Sequence, residues 1–177
     1  MNSKIFKTTL LLVFCGTITA FAVEVPINGK FAKDDKGQLL YWKPQYPRKT
    51  VSIEVIPASD GKSNAMFVEN DNKSFAIGHY SLKKVTSYKK LHFSIHAKGN
   101  GGFAVQLNCY TDKSKYIGTL IFLQGKASPD AFQEFKGSLD VPETLKDQKV
   151  VYITFQILVF KNAQIIFENA ALTADEH

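Results

Sequence analysis

Cysteine, tryptophan and arginine are almost missing from this chain: two, one and one in 177 residues. Of the cysteines, Cys15 lies in the N-terminal segment. Once that segment is removed, Cys109 stands alone and no intramolecular disulfide can form, even in an oxidising compartment. Stability must then come from a hydrophobic core, and a domain of about 155 residues buries roughly two-thirds of its unfolded surface, enough for that. No apolar run is long enough to span the ~30 Å of a bilayer's hydrocarbon. A Gly-x-Ser-x-Gly elbow is absent, as is a strand carrying two closely spaced acids, which a retaining glycosidase would need about 5 Å apart. Glu54 is alone on its strand. Helical periodicity is nearly lacking too. The best candidates are a turn at Ser128-Pro129-Asp130-Ala131-Phe132 and a short segment at Glu143-Thr144-Leu145-Lys146 after Pro142.

What is present begins with an export signal. Lys4 and Lys7 precede the apolar stretch from Thr9 to Phe14, and Ala20-Phe21-Ala22 supplies small residues at a cleavage point. Residues 1–22 are therefore read as a signal peptide cleaved after Ala22, which predicts a secreted, periplasmic or cell-surface protein with no membrane span in the mature chain. Phe14 occupies the place before Cys15 where a lipobox wants a small residue, which argues against lipid attachment. Cleavage lowers the formal charge from +6 to +4. The remaining lysines, among them Lys43, Lys62, Lys84 and Lys90, are scattered with no helical stripe. A solvated surface explains that pattern, and no nucleic-acid partner is expected.

From Val23 to Leu172 turn signals recur about every ten residues without a linker or repeat, predicting one domain over 23–172 and a tail over 173–177. Between the turns, apolar and polar residues alternate with period two. Val51-Ser52-Ile53-Glu54-Val55, the run Leu91 to Ala97 and the run Phe103 to Cys109 each fit a strand with one wet face. Gly99-Asn100-Gly101-Gly102 offers positive-φ residues, so the last two runs are expected to pair as a hairpin. Tyr116 to Leu123, Val150 to Phe160 and Ile165 to Leu172 are β-branched and aromatic enough for further strands, the second apolar enough to be central. Eight or nine short strands predict an all-β, antiparallel β-sandwich or jelly roll.

Alternation also selects candidate binding residues. With Leu91, Phe93, Ile95 and Phe103, Val105, Leu107 facing inward, His92, Ser94, His96, Gln106, Asn108 and Tyr110 are expected to share the opposite face. Tyr152, Thr154 and Gln156 project outward from the next strand by the same rule. Amides exchange paired hydrogen bonds with vicinal hydroxyls, and aromatic faces cover the apolar side of a sugar ring, so the set suits a carbohydrate. It equally describes the wet side of an antiparallel sheet. His92 and His96 lie about 13 Å apart along a strand, too far to chelate one ion. Cys109 alternates inward with Leu107, as an inert buried thiol.

The order of motifs is similar to a known family. Asn28-Gly29-Lys30-Phe31 and Trp42 come first, then Tyr88 to Gly99, then Phe132-Gln133-Glu134-Phe135 leading to Val141-Pro142, and finally Ile166-Phe167-Glu168-Asn169-Ala170-Ala171-Leu172. This resembles the jelly-roll, galactose-binding-like carbohydrate-binding modules of bacterial cellulases and xylanases, with their outline N-G-x-F-E, G-W, Y-x-L-S-F-x-A-K, W-x-x-F, V-P and I-x-D-D-V-x-L. The resemblance implies a secreted, non-catalytic module that binds a polysaccharide or oligosaccharide, with a separate glycoside hydrolase as a possible partner. A cell-envelope protein-interaction or structural sandwich without a sugar site is the alternative. The resemblance also implies a structural calcium ion, for which Asn28, Asp34 and Glu168 are the candidate ligands, although no cofactor is required. Ala32 replaces the family's early acid, Phe132 replaces a tryptophan, and Trp42 matches a structural position, with Tyr41 and Tyr46 beside it as an exposed pair. Lyases of jelly-roll shape want an arginine with Gln-x-His and Tyr-Lys-x-Gly-x-Tyr runs, and only Arg48, in a turn, is present. No catalysis is expected.

Overall fold

The computed structural model describes residues 22–46, 51–71 and 73–176. The proposed signal peptide, Ala22 excepted, and Arg48 lie outside them. The described residues form β-strands and no helix. In chain order these are β1 (Val23–Glu24), β2 (Trp42–Pro44), β3 (Val51–Pro57), β4 (Asn64–Asn70), β5 (Phe75–His79), β6 (Lys83–Lys84), β7 (Tyr88–Tyr110), β8 (Tyr116–Ala127), β9 (Gln133–Asp140), β10 (Thr144–Leu145), β11 (Gln148–Lys149), β12 (Tyr152–Val159) and β13 (Ala163–Glu176). The segments weighed above for helix are the approach to β9 and the small β10–β11 hairpin.

All pairings are antiparallel, and they build two sheets joined by one strand. Residues 88–100 of β7 lie between β13 and β9, and β4, β3 and β1 extend that first sheet beyond β13. Residues 101–110 lie between β12 and β8, with β5, β2 and β6 completing the second sheet. The glycine run at 99–102 therefore does not make the expected hairpin. The runs 91–97 and 103–109 do not pair with each other; the chain continues through the glycines from one sheet into the next. Gly99 and Gly101 sit at φ 137° and 129°, and a Cβ on them would meet Gln164 O at 2.0 Å and Ala163 Cβ at 2.4 Å. Positive φ is needed here for a crossing packed against β13, where a side chain has no room.

Alternation places the apolar side chains between the sheets as expected. Leu91, Phe93 and Ile95 from the first sheet, and Phe103, Val105, Leu107, Ile153, Phe155 and Ile157 from the second, are buried. Phe93 stacks on Phe155 with centroids 6.1 Å apart, and Phe103 meets Phe167 edge-on at 5.0 Å, so the two inner faces interdigitate. Each such phenylalanine contributes about 1.5–3 kcal/mol through the area it removes from water. Cys109 is buried, and desolvation pushes its thiol up to about 11. Trp42 is also buried, with its indole N–H donating to Ile27 O at 3.1 Å, which gives it the structural role expected. One boundary is corrected: β13 runs to Glu176, paired with residues 88–94 of β7, and Ala174 is fully buried, so 173–176 is strand and not tail. The alanine and threonine there complete the pattern that Leu172 was expected to close.

Candidate functional site

The outer face of the second sheet collects most of the polar residues that alternation singled out. Gln156 is the register partner of Gln106, Thr154 of Asn108 and Tyr152 of Tyr110. On the far side of β7, Asn108 faces Thr119 and Tyr110 faces Tyr116. The pairing of β7 with β8 slips twice, between Val105 and Gln106 and between Cys109 and Tyr110. Such bulges bend a strand and increase its twist. Here they let Phe122 and Ile117 turn into the core while Ile121, Thr119 and Tyr116 stay outside.

These side chains are joined into one hydrogen-bonded chain that crosses five strands, β2, β5, β12, β7 and β8. Gln45, carried just past β2 by a backbone bond to Ala76 O at 3.0 Å, donates through Nε2 to Gln156 Oε1. The same oxygen accepts from Asn108 Nδ2 at 3.1 Å, and Gln156 Nε2 donates to Gln106 Oε1. Thr119 donates its hydroxyl to Asn108 Oδ1 at 2.6 Å and shares a hydrogen bond of 2.8 Å with the Tyr116 hydroxyl. Asn108, Thr154 and Gln156 are buried despite pointing outward, because their neighbours lean over them. A buried amide keeps its orientation only when its donors and acceptors are met, so the network presents a set arrangement of polar atoms.

Beside the network, Lys43, Gln45, Gly78, His79, Tyr80, Tyr110 and Thr154 line a cleft of about 360 Å³. Gly78 forms its floor opposite Gln156. Tyr80 and Tyr116 are exposed at the cleft and at the far end of the network, and Tyr41 packs on Tyr80 with centroids 5.9 Å apart. His79 turns under them against Trp42, with centroids 5.1 Å apart. It is 2% exposed, neither ring nitrogen has a hydrogen-bond partner, and desolvation lowers its pKa to about 4.

Six of the nine expected ligand-binding residues thus meet on one face: Gln106, Asn108, Tyr110, Tyr152, Thr154 and Gln156. His92, Ser94 and His96 do not join them. They lie on the outer face of the first sheet, on the other side of the sandwich, because the chain crosses between sheets at 99–102 instead of turning back. There His92 shares hydrogen bonds with Ser138 Oγ at 2.8 Å and Asp175 Oδ2 at 3.1 Å, and His96 lies 3.9 Å from Glu134. Sequence reading missed Gln45, Thr119, Tyr116 and Tyr80. Thr119 and Tyr116 alternate on a strand already identified, and knowledge of its partner would have recovered them. Gln45 carries no local signal.

The three candidate calcium ligands are each engaged in hydrogen bonds within the protein. Asn28 Oδ1 accepts from Ala32 N at 3.0 Å, while its Nδ2 donates to Leu40 O at 2.8 Å. Asp34 Oδ1 caps a surface turn by accepting from Lys36 N and Gln38 N. Glu168, 2% exposed, accepts from Ser59 N at 2.9 Å and from the Ser59 hydroxyl at 2.6 Å. Among the described residues no group of three or more His, Cys, Asp or Glu side chains stands ready for an ion.

Solved structures share this arrangement of sheets. The carbohydrate-binding and catalytic modules of Clostridium thermocellum xylanase 10B, complexed with xylohexaose, superpose with a TM-score of 0.62 at 15% identity, over 86% of this chain and 28% of that one. The xylan-binding domain of Paenibacillus barcinonensis Xyn10C gives 0.56 at 9% identity, over 84% of this chain and 92% of that one. The fold is that of the jelly-roll carbohydrate-binding modules. The C-terminal family 22 module of the Clostridium xylanase, covered over 98% of its length, agrees with a TM-score of 0.53 at 12% identity. The chain spans little more than a quarter of the two-module xylanase structure. No protein-family model and no curated protein sequence matches the chain.

Proposed function

We propose that this protein is an exported, non-catalytic module that holds a polysaccharide on the outer face of its second sheet. The observation that carries the reading is the chain of amides and hydroxyls from Gln45 through Gln156, Gln106 and Asn108 to Thr119, flanked by exposed Tyr80 and Tyr116. An ordered row of donors and acceptors between aromatic faces matches the alternating hydroxyl and C–H surfaces of a sugar chain. The xylanase-associated modules with the same fold support this choice of ligand class. The strands of the second sheet carry no Asp or Glu, and so none of the carboxylate pairs that glycosidases use. The module would act after signal cleavage, at the cell surface or outside it, by bringing a separate glycoside hydrolase to its substrate. The Ser59 bonds to Glu168 favour a module that folds without calcium.

Affinity electrophoresis through gels containing xylan, β-glucan, mannan, pectin or cellulose derivatives tests the reading. Retardation by at least one polymer, lost in Gln106→Ala and in Tyr116→Ala variants that keep the native melting profile, is the expected result. Unchanged mobility across the panel overturns it and favours an envelope-interaction sandwich.

A further inference from the structure

Charge is segregated between the two sheets. The strands of the second sheet, including β6 and residues 101–110 of β7, hold four lysines and no Asp or Glu. The strands of the first sheet hold eight carboxylates against four lysines. Both lysine–carboxylate pairs found among the described residues, Lys90–Asp140 and Lys136–Glu134, lie on the first sheet, as do the His92–Asp175 and His96–Glu134 contacts. On the second sheet no lysine has a carboxylate partner among the described residues, and one of them, Lys43, lines the cleft. Its ammonium is 4.8 Å from the Tyr80 ring centroid. Lys84 is exposed opposite Tyr152, and Lys83 beside it is partly desolvated. The charge that acts on His79, under the cleft, is that of Lys83. The turn between β7 and β8 adds Asp112, but Lys113 and Lys115 accompany it.

A cleft for a neutral glycan has no need of such a field. Unpaired cations beside an ordered polar network attract anions and give the ammonium an oxygen to bond. We propose, on the basis of the carbohydrate-binding reading above, that the ligand is an anionic polysaccharide bearing uronic acids. A carboxylate of the chain would sit in the cleft beside Lys43 and Tyr80, while the rest of the chain lies along the amide network. The network supplies recognition of hydroxyls, and Lys43 selects for acid groups.

The test compares binding of the full protein to matched polymers: glucuronoxylan and polygalacturonate, each against its carboxyl-reduced form, at low and at near-physiological salt. The acidic form of at least one pair should bind at least tenfold more tightly. Lys43→Gln should reduce that ratio at least threefold, and Lys136→Gln, on the opposite sheet, should leave it unchanged. Equal binding of acidic and reduced forms overturns this inference and leaves carbohydrate binding standing. An acid preference insensitive to Lys43→Gln and Lys84→Gln together, or lowered equally by Lys136→Gln, also overturns it, since the effect would then be one of net charge. Failure to bind any polymer overturns both readings.

Discussion

Gln156 and Gln106 face each other across the β12–β7 pair as register partners, and the amide nitrogen of Gln156 donates to the carbonyl oxygen of Gln106. That contact fastens the centre of the candidate binding face. Because Gln156 Oε1 also accepts from Gln45 and Asn108, one side chain holds three others in place.

Replacing Gln156 by Leu keeps the volume and removes every one of these bonds. Leaving buried amide groups without partners costs about 1–3 kcal/mol, so urea denaturation should show a loss in that range. The variant should also bind its polymer at least tenfold more weakly in affinity gels run at a temperature where it remains folded.

His79 makes stability depend on pH. Its pKa falls from 6.5 to about 4 on folding, because burial strips water from its charged form and the Lys83 ammonium repels it. The unfolded chain then binds the proton more readily, and stability drops as pH falls from about 6.5 to about 4, by about 3 kcal/mol when complete. Melting curves across that window should show His79→Phe to be less acid-sensitive than the wild type; identical slopes would refute the assignment.

Gly101 tests the crossing between sheets. A methyl group there meets Ala163 at 2.4 Å, on a backbone at φ 129° that L-residues rarely adopt. Gly101→Ala should lose several degrees of melting temperature or fail to accumulate as soluble protein. Gly37→Ala shares the positive φ, but a Cβ there has open space, so it should be the milder of the two.

Glu168 and Ser59 bear on the calcium question. Millimolar EGTA should leave the melting temperature unchanged within about 1 °C, whereas Ser59→Ala, which strips a hydroxyl from a buried carboxylate, should cost about 1–3 kcal/mol. A large EGTA effect would restore the metal.

The Cys109 thiol, raised to about 11 by burial, should resist alkylation at pH 8 in the native protein and react once unfolded.

Local pattern determined a good deal of this protein. Period-two alternation marked which side chains of 91–97, 103–110 and 151–159 turn to the core, since successive residues on a strand point to opposite faces whatever the strand pairs with. Burial of Phe93, Val105 and Phe155, the structural tryptophan and the inert cysteine follow from that rule. The tertiary structure alone decided which wet faces coincide. Glycine tolerates positive φ equally in a tight hairpin and in a strand that crosses between sheets, and the choice at 99–102 is set by packing against Ala163 and Gln164, more than sixty residues away. That choice sends His92, Ser94 and His96 to one side of the sandwich and Gln106, Asn108 and Tyr110 to the other. Gln45 joins the site, and Lys43 lines the cleft beside it, only because distant strands pair.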